Sequence, residues 1–259
     1  MKRFLYGIFI TSSLVFSQER ITTEIKGTIP FNADQISHID NFGALFYTVG
    51  NTFYKKEPNQ NYNYSNVQLG SISSANAFNP LKIILFYKNF NTVIILDNRL
   101  SEIYKIDFNN IQPYKNLTHI STGSDNTIWI FNQDTQQLEL FDYKTNKTRA
   151  TTMPVESKVL DLKSNYNYSW LLTEKFLYTY NYFGSTISKI KNDGFSHIAE
   201  YNGNLIIQRD QRLYFLAKDT PQLIPIHLPA LLIKQFLVTN ESLYIYTDET
   251  LHQFQLKIR

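Results

Sequence analysis

The sequence has 259 residues, a formal net charge of +3, 15% aromatic residues and no cysteine. The absence of cysteine excludes disulfide staples, a thiol nucleophile and a lipid anchor attached through a thiol. Basic residues occur singly or in pairs such as Lys55-Lys56, with acidic residues nearby, and so provide no basic stripe for nucleic acid.

At the N-terminus, Lys2 and Arg3 precede the largely apolar stretch from Phe4 to Phe16. Val15-Phe16-Ser17 then gives way to the polar Gln18-Glu19-Arg20. This is the build of a secretory signal, expected to occupy residues 1–17. Its apolar stretch is too short to span a bilayer as a helix, and no later run is long enough, so no direct membrane span is expected. The remaining residues, 18–259, are expected to form one domain, with a net charge of +1 once Lys2 and Arg3 are removed.

Six segments then repeat one pattern of apolar strand, polar turn and second apolar strand. They are Leu45–Tyr54, Ile84–Leu96, Thr127–Phe141, Ser169–Tyr180, Asn204–Leu216 and Ser242–Phe254, with starts 39, 43, 42, 35 and 38 residues apart. A period near forty residues predicts an all-β propeller of about six four-stranded blades. No window carries a helical apolar period; the nearest, Pro229–Phe236, is short and rich in branched residues.

A second marker sets the phase. Ile36-Ser-His-Ile39, Leu117-Thr-His-Ile120 and Phe195-Ser-His-Ile198 precede the first, third and fifth hairpins, 81 and 78 residues apart. Val159-Leu-Asp-Leu162, Lys234-Gln-Phe-Leu237 and Ile72-Ser-Ser-Ala75 occupy comparable places. These six segments are expected to be the innermost strands. Thr22–Thr28 precedes the first repeat, and the chain stops after the third strand of the sixth. The N-terminal segment is therefore expected to supply the outer strand of the last blade and close the ring.

Candidate chemistry is sparse. His38, His119 and His197 are of a type that ligates zinc or copper. Coming from alternate blades with no shared carboxylate, they are expected to be equivalent strand residues that hold no metal. His227 and His252 lack a partner at ligand spacing, and neither H-E-x-x-H nor G-x-S-x-G occurs. With only 9 glycines there is no phosphate loop, and no cofactor is expected. Asp97, Asp161 and Glu200 are carboxylates near strand ends, of the type a sugar-processing propeller uses as an acid/base pair; surface solvation accounts for them more simply. The chain reads as a non-enzyme.

The aromatics carry more information. Phe46, Phe86, Trp129, Trp170 and Tyr244 fall on hairpin strands and read as core. Tyr62, Tyr64, Tyr114, Tyr166, Tyr168, Tyr182 and Phe183 fall in Asn-rich, turn-like sequence and are the expected partner-binding residues, because rigid amphipathic rings are enriched at interfaces. Glycans are an alternative ligand for such rings, and a purely structural scaffold is a third reading.

Hairpins such as Thr92-Val-Ile-Ile-Leu-Asp97 and Asn126-Thr-Ile-Trp-Ile-Phe-Asn132, set in an Asn/Tyr-rich, cysteine-free chain with an export signal, resemble small periplasmic propeller proteins of Bacteroidota. Among these, the chain resembles the plug-subunit family of the type 9 secretion translocon. The likeness runs over residues 18–259 in general texture, contains no diagnostic motif and transfers no functional residue. It implies a periplasmic subunit that covers the opening of an outer-membrane barrel in a protein-export complex.

Overall fold

The computed structural model describes residues 21–218, 220–239 and 242–257. The export signal expected at residues 1–17 lies outside them. The described residues form twenty-four strands and two single 3-10 turns, Lys88–Phe90 and Phe108–Asn110. In chain order, β1 (Ile21–Pro30) precedes a meander of β2 (Gln35–Ile39), β3 (Leu45–Val49), β4 (Thr52–Lys56) and β5 (Asn61–Ser65). The next is β6 (Ser74–Asn76), β7 (Ile83–Tyr87), β8 (Thr92–Leu96) and β9 (Glu102–Asp107). A third comprises β10 (Leu117–Thr122), β11 (Thr127–Asn132), β12 (Gln137–Asp142) and β13 (Lys147–Thr151); a fourth, β14 (Val159–Ser164), β15 (Tyr168–Thr173), β16 (Phe176–Asn181) and β17 (Thr186–Lys191). The remaining strands are β18 (Phe195–Tyr201), β19 (Asn204–Arg209), β20 (Arg212–Leu216), β21 (Leu223–His227), β22 (Gln235–Thr239), β23 (Ser242–Tyr246) and β24 (Thr250–Lys257).

The expectation of about six separate four-stranded blades is corrected by the sheet pairing. The protein is a β-propeller with four four-stranded blades and one eight-stranded sheet, in the order β18-β19-β20-β21-β1-β24-β23-β22. The cause is β1. It pairs antiparallel with β24 from Thr22↔Lys257 to Pro30↔Thr250, and its first residues also pair in parallel with β21, at Ile21↔Ile226 and Thr22↔His227. An N-terminal strand confined to one neighbour would have left the last two meanders separate. Reaching both, it fuses them. The eight-stranded sheet folds back on itself until its edge strands β18 and β22 lie side by side, and it encloses a core of Ile21, Ile206, Phe215, Ile226, Leu243 and Phe254.

All six predicted hairpins form, as β3–β4, β7–β8, β11–β12, β15–β16, β19–β20 and β23–β24. The segments preceding them contribute to β2, β6, β10, β14, β18 and β22, which follow one another around a central cavity, with β22 returning to β2. Asn91, Asp125, Asn146, Asn202 and Asp210 adopt positive φ in the turns, which Asn and Asp tolerate because their short polar side chains bond locally. Gly123 is required sterically, since a Cβ there would meet the Thr127 carbonyl oxygen at 2.8 Å.

Polar side chains tie neighbouring sheets together. The buried Lys82 ammonium, from the β6–β7 turn, donates to the carbonyls of Gly123 (2.6 Å), Asp125 (2.9 Å) and Thr127 (3.0 Å) in the next meander. Burial brings its pKa down to about 8, against the opposing pull of Asp125. Asn91 donates to the Lys115 carbonyl at 2.6 Å and accepts from the Leu117 N–H at 3.1 Å. Lys115 in turn forms a buried pair with Glu139 at 2.6 Å.

The fusion of the two meanders through β1 yields a direct expectation. Leu256, paired with Thr23 and buried in the enclosed core, should on Leu256→Asp cost about 3 kcal/mol or more, through an unpaired buried charge and lost apolar burial. Ile25 is on the same strand pair but exposed, and Ile25→Asp should cost no more than about 0.5 kcal/mol. Urea midpoints of the two variants measure the difference.

Candidate functional site

Two features stand out as places where chemistry or recognition can occur: the central channel, and the turns at one of its ends. The channel has a volume of about 870 Å³ and is walled by the six inner strands. Four of those strands carry a bulge at the same position, between Ile36 and His38, Leu117 and His119, Val159 and Asp161, and Phe195 and His197. The bulge re-aims the residue after it. His38, His119, Asp161 and His197 are therefore equivalent, as the sequence spacing of the three histidines implies.

Their environments differ. Burial holds His38 down to about 4, against Asp40, and holds His119 down to about 4, against Asp161 and with help from Lys88 and Lys163. Both are neutral at pH 7. His197 is exposed to the channel, its Nδ1 3.9 Å from Asp161 Oδ2. Burial works against the charge of Asp161, but Lys163 at 3.1 Å, His197 and the Ile198 N–H at 3.0 Å outweigh it and hold the carboxyl far below the usual carboxylate range. Among the described residues no group of three or more His, Asp or Glu is arranged to hold a metal ion. Of the three carboxylates singled out in the sequence, Asp161 and Glu200 both line the channel, whereas Asp97 does not. Asp97 accepts from the Arg99 and Ser101 N–H groups in the β8–β9 turn, while Glu200 accepts from the Gly203 N–H and Asn165 Nδ2.

In a four-stranded meander the first and third turns emerge at one end of the sheet and the second turn at the other. Cross-sheet contacts place the first turns at a common end of the channel. Thr239 donates to Asn41, Lys82 to the β10–β11 turn, and Asn165 to Glu200, while Phe78 meets Tyr166 edge-on at 5.3 Å. This end carries Tyr166 in the β14–β15 turn, Tyr168 at the start of β15, and Tyr182 and Phe183 in the β16–β17 turn, their rings 4.0 Å apart. It also carries Phe42, 89% exposed in the β2–β3 turn. Tyr114 lies in the β9–β10 connection, at the opposite end.

Tyr62 and Tyr64 are not loop residues. They alternate inward on β5, against the core shared by the first two meanders. Lys55 sits over the Tyr62 ring at 5.5 Å, and Tyr64 donates to Glu102 at 2.7 Å. Burial, followed by that bond to Glu102, pushes the Tyr64 hydroxyl up to about 12. The Asn-rich run around them reads as a turn, yet its alternation in Asn61-Tyr-Asn-Tyr-Ser65 is the period of a half-buried strand. Sequence reasoning missed Phe42 and Phe78. The turn signal in Asp40-Asn-Phe-Gly43, where Asp40 accepts from the Phe42 and Ala44 N–H groups, was available to locate the first.

The architecture is that of the β-propeller class, and comparison with solved structures agrees. A catalytically inactive virginiamycin B lyase from Staphylococcus aureus with quinupristin is 12% identical, with a TM-score of 0.63 over 88% of this chain and 83% of that one. BamB from Moraxella catarrhalis is 14% identical, with a TM-score of 0.51 over 85% and 69%. PorZ, a surface component of the type-IX secretion system of Porphyromonas gingivalis, is 14% identical, with a TM-score of 0.54 over 85% of this chain and 32% of that one. At these identities the likeness is one of fold. No protein-family model matches the sequence, and no curated protein does.

The two buried histidines set a pH dependence. Their folded pKa values lie below the ordinary value of 6.5, so the unfolded chain takes up protons first as pH falls. The stability they provide is complete above about pH 6.5 and is lost as pH falls towards 4. Each should contribute at most about 3 kcal/mol to that loss. Urea unfolding at pH 7 and 4.5 should show a smaller acid loss in a His38→Gln, His119→Gln double variant than in the unsubstituted protein.

Proposed function

We propose that this protein is a non-enzymatic binding subunit of the bacterial cell envelope. In this reading it sits in the periplasm, associates with an outer-membrane barrel protein of an export complex, and seals or regulates the complex's periplasmic opening. The observation that carries the reading is the distribution of exposed aromatics. Five of the seven among the described residues, Phe42, Tyr166, Tyr168, Tyr182 and Phe183, lie at one end of the propeller, leaving Phe90 and Tyr114 at the other. Rings raised on short turns above a rigid sheet scaffold give large contact area at small entropic cost. A partner wide enough to span several turns would meet them together. The resemblance to the plug-subunit family and the fold shared with PorZ and BamB favour an envelope setting, as analogy of fold. No helix among the described residues is long and apolar enough to cross a membrane, which fits attachment through a partner.

The non-enzymatic part of the reading is supported by the occupations of the channel's polar groups. Asp161 is engaged by Lys163 and two backbone N–H groups, and Glu200 by a turn, so neither is poised as an acid or base beside a nucleophile.

Affinity purification of the tagged protein from detergent-solubilised envelopes should recover an outer-membrane barrel protein. Replacing Tyr182 and Phe183 by Ala should reduce that recovery by roughly thirtyfold in affinity at unchanged melting temperature. Replacing Tyr62 and Tyr64 by Ala should instead lower the melting temperature, as expected of side chains packed between sheets. Recovery of a solitary monomer from the native envelope would refute the reading.

A further inference from the structure

We propose that the mouth of the channel at this aromatic end binds an uncharged oligosaccharide. Charge is the first ground. The walls carry three lysines, Lys88, Lys163 and Lys234, and three carboxylates, Asp40, Asp161 and Glu200. Two of the three wall histidines are held neutral. Such a wall has no excess of either sign with which to hold a phosphate, a sulfate or an ammonium group. Most of its other polar groups are hydroxyls and carboxamides, which match the donors and acceptors of a polyol.

The second ground is the pairing of exposed rings with partly used polar groups at the mouth. Phe42 lines the mouth with its ring almost wholly exposed. Phe78 also lines it and fixes Tyr166 edge-on at 5.3 Å. The electron-rich face of such a ring attracts the weakly positive C–H face of a pyranose. Beside the rings, Asn41 spends its carbonyl oxygen on Thr239 at 2.6 Å, and its amide donates to no group among the described residues. Glu200 spends Oε1 on Gly203 and Asn165, leaving Oε2 without a hydrogen bond among the described residues. A donor and an acceptor are thus available next to stacking surfaces, in a cavity of the size that takes a few sugar units.

The inner strands disfavour an extended peptide. Peptides commonly bind by adding a strand to a free sheet edge, and the inner strands turn their free edges to the channel. Four of the six are bulged at the same depth, which interrupts the ladder a peptide would need. Recognition by side chains remains, and the side chains suit sugar.

The test is an array of immobilised neutral and acidic glycans, followed by calorimetric titration of the best neutral hexasaccharide. At least one neutral glycan should bind with a Kd below about 1 mM. Phe42→Ala and Tyr166→Ala should each weaken it about tenfold at unchanged melting temperature, and Phe42→Trp should retain it. Retention of a high-mannose glycoprotein but not its deglycosylated form would identify a protein-borne glycan as the source; binding of the free hexasaccharide alone would identify a free polysaccharide. The proposal is overturned by failure of every neutral glycan to bind below about 1 mM, by preference for acidic glycans, by binding that survives both alanine variants, or by displacement with an extended polar hexapeptide. The Tyr182 and Phe183 alanine variant should keep sugar binding while losing the envelope partner, so the two readings fail separately.

Discussion

Each four-stranded sheet presents apolar side chains on both faces, and among the described residues there is no α-helix to cover them, so each must be covered by its neighbour. The core clusters follow from that need. One joins Ile84, Phe86 and Val93 of the second meander to Leu117, Ile128 and Phe141 of the third. Another joins Trp129 and Leu140 of the third to Leu162, Leu171 and Tyr180 of the fourth. A third joins Trp170 and Leu172 of the fourth to Phe195 and Ile207 beyond it. The smallest, with Ile36 and Ile39 against Tyr246 and Leu251, brings the last hairpin back to the first meander. None of the four-stranded sheets has a core of its own, the eight-stranded sheet encloses one as well, and the channel is the space that remains when all of them are covered.

Polar side chains refine this arrangement where apolar packing gives no direction. Contacts between flat apolar faces tolerate sliding, whereas Lys82 meeting three carbonyls, or Asn91 satisfying both a carbonyl and an N–H across a boundary, fixes one alignment. The channel wall is nearly neutral because its three lysines match its three carboxylates in number.

The hairpins and the phase of the inner strands were legible because they rest on local alternation and on a period near forty residues, both written in neighbouring residues. The equivalence of Asp161 with the three histidines was also present in the alignment of Val159-Leu-Asp-Leu162 with Leu117-Thr-His-Ile120. The sheet count was not legible in the same way. It turns on two backbone pairings of Ile21 and Thr22 with β21, and backbone groups leave no trace in side-chain pattern. Tyr62 and Tyr64 were read as loop residues because Asn weighs heavily as a turn former, although tertiary packing against the second meander makes Asn61–Ser65 an outer strand. The turn that carries Phe42 is signalled locally by Asp40-Asn-Phe-Gly43, whereas nothing local marks Phe78, whose place at the mouth depends on turns gathered from distant meanders.

The pairing of β1 with β24 has a kinetic consequence. Thr22 meets Lys257, so this contact closes a loop of almost the whole described chain, whereas each hairpin closes over a few residues. Contacts of such separation form late, because the chain entropy they remove is returned only after the intervening sheets are in place. Until then the edges of β21 and β24 that β1 will occupy are open to any extended strand nearby. The molecule is therefore most prone to self-association in the interval between assembly of its meanders and arrival of β1.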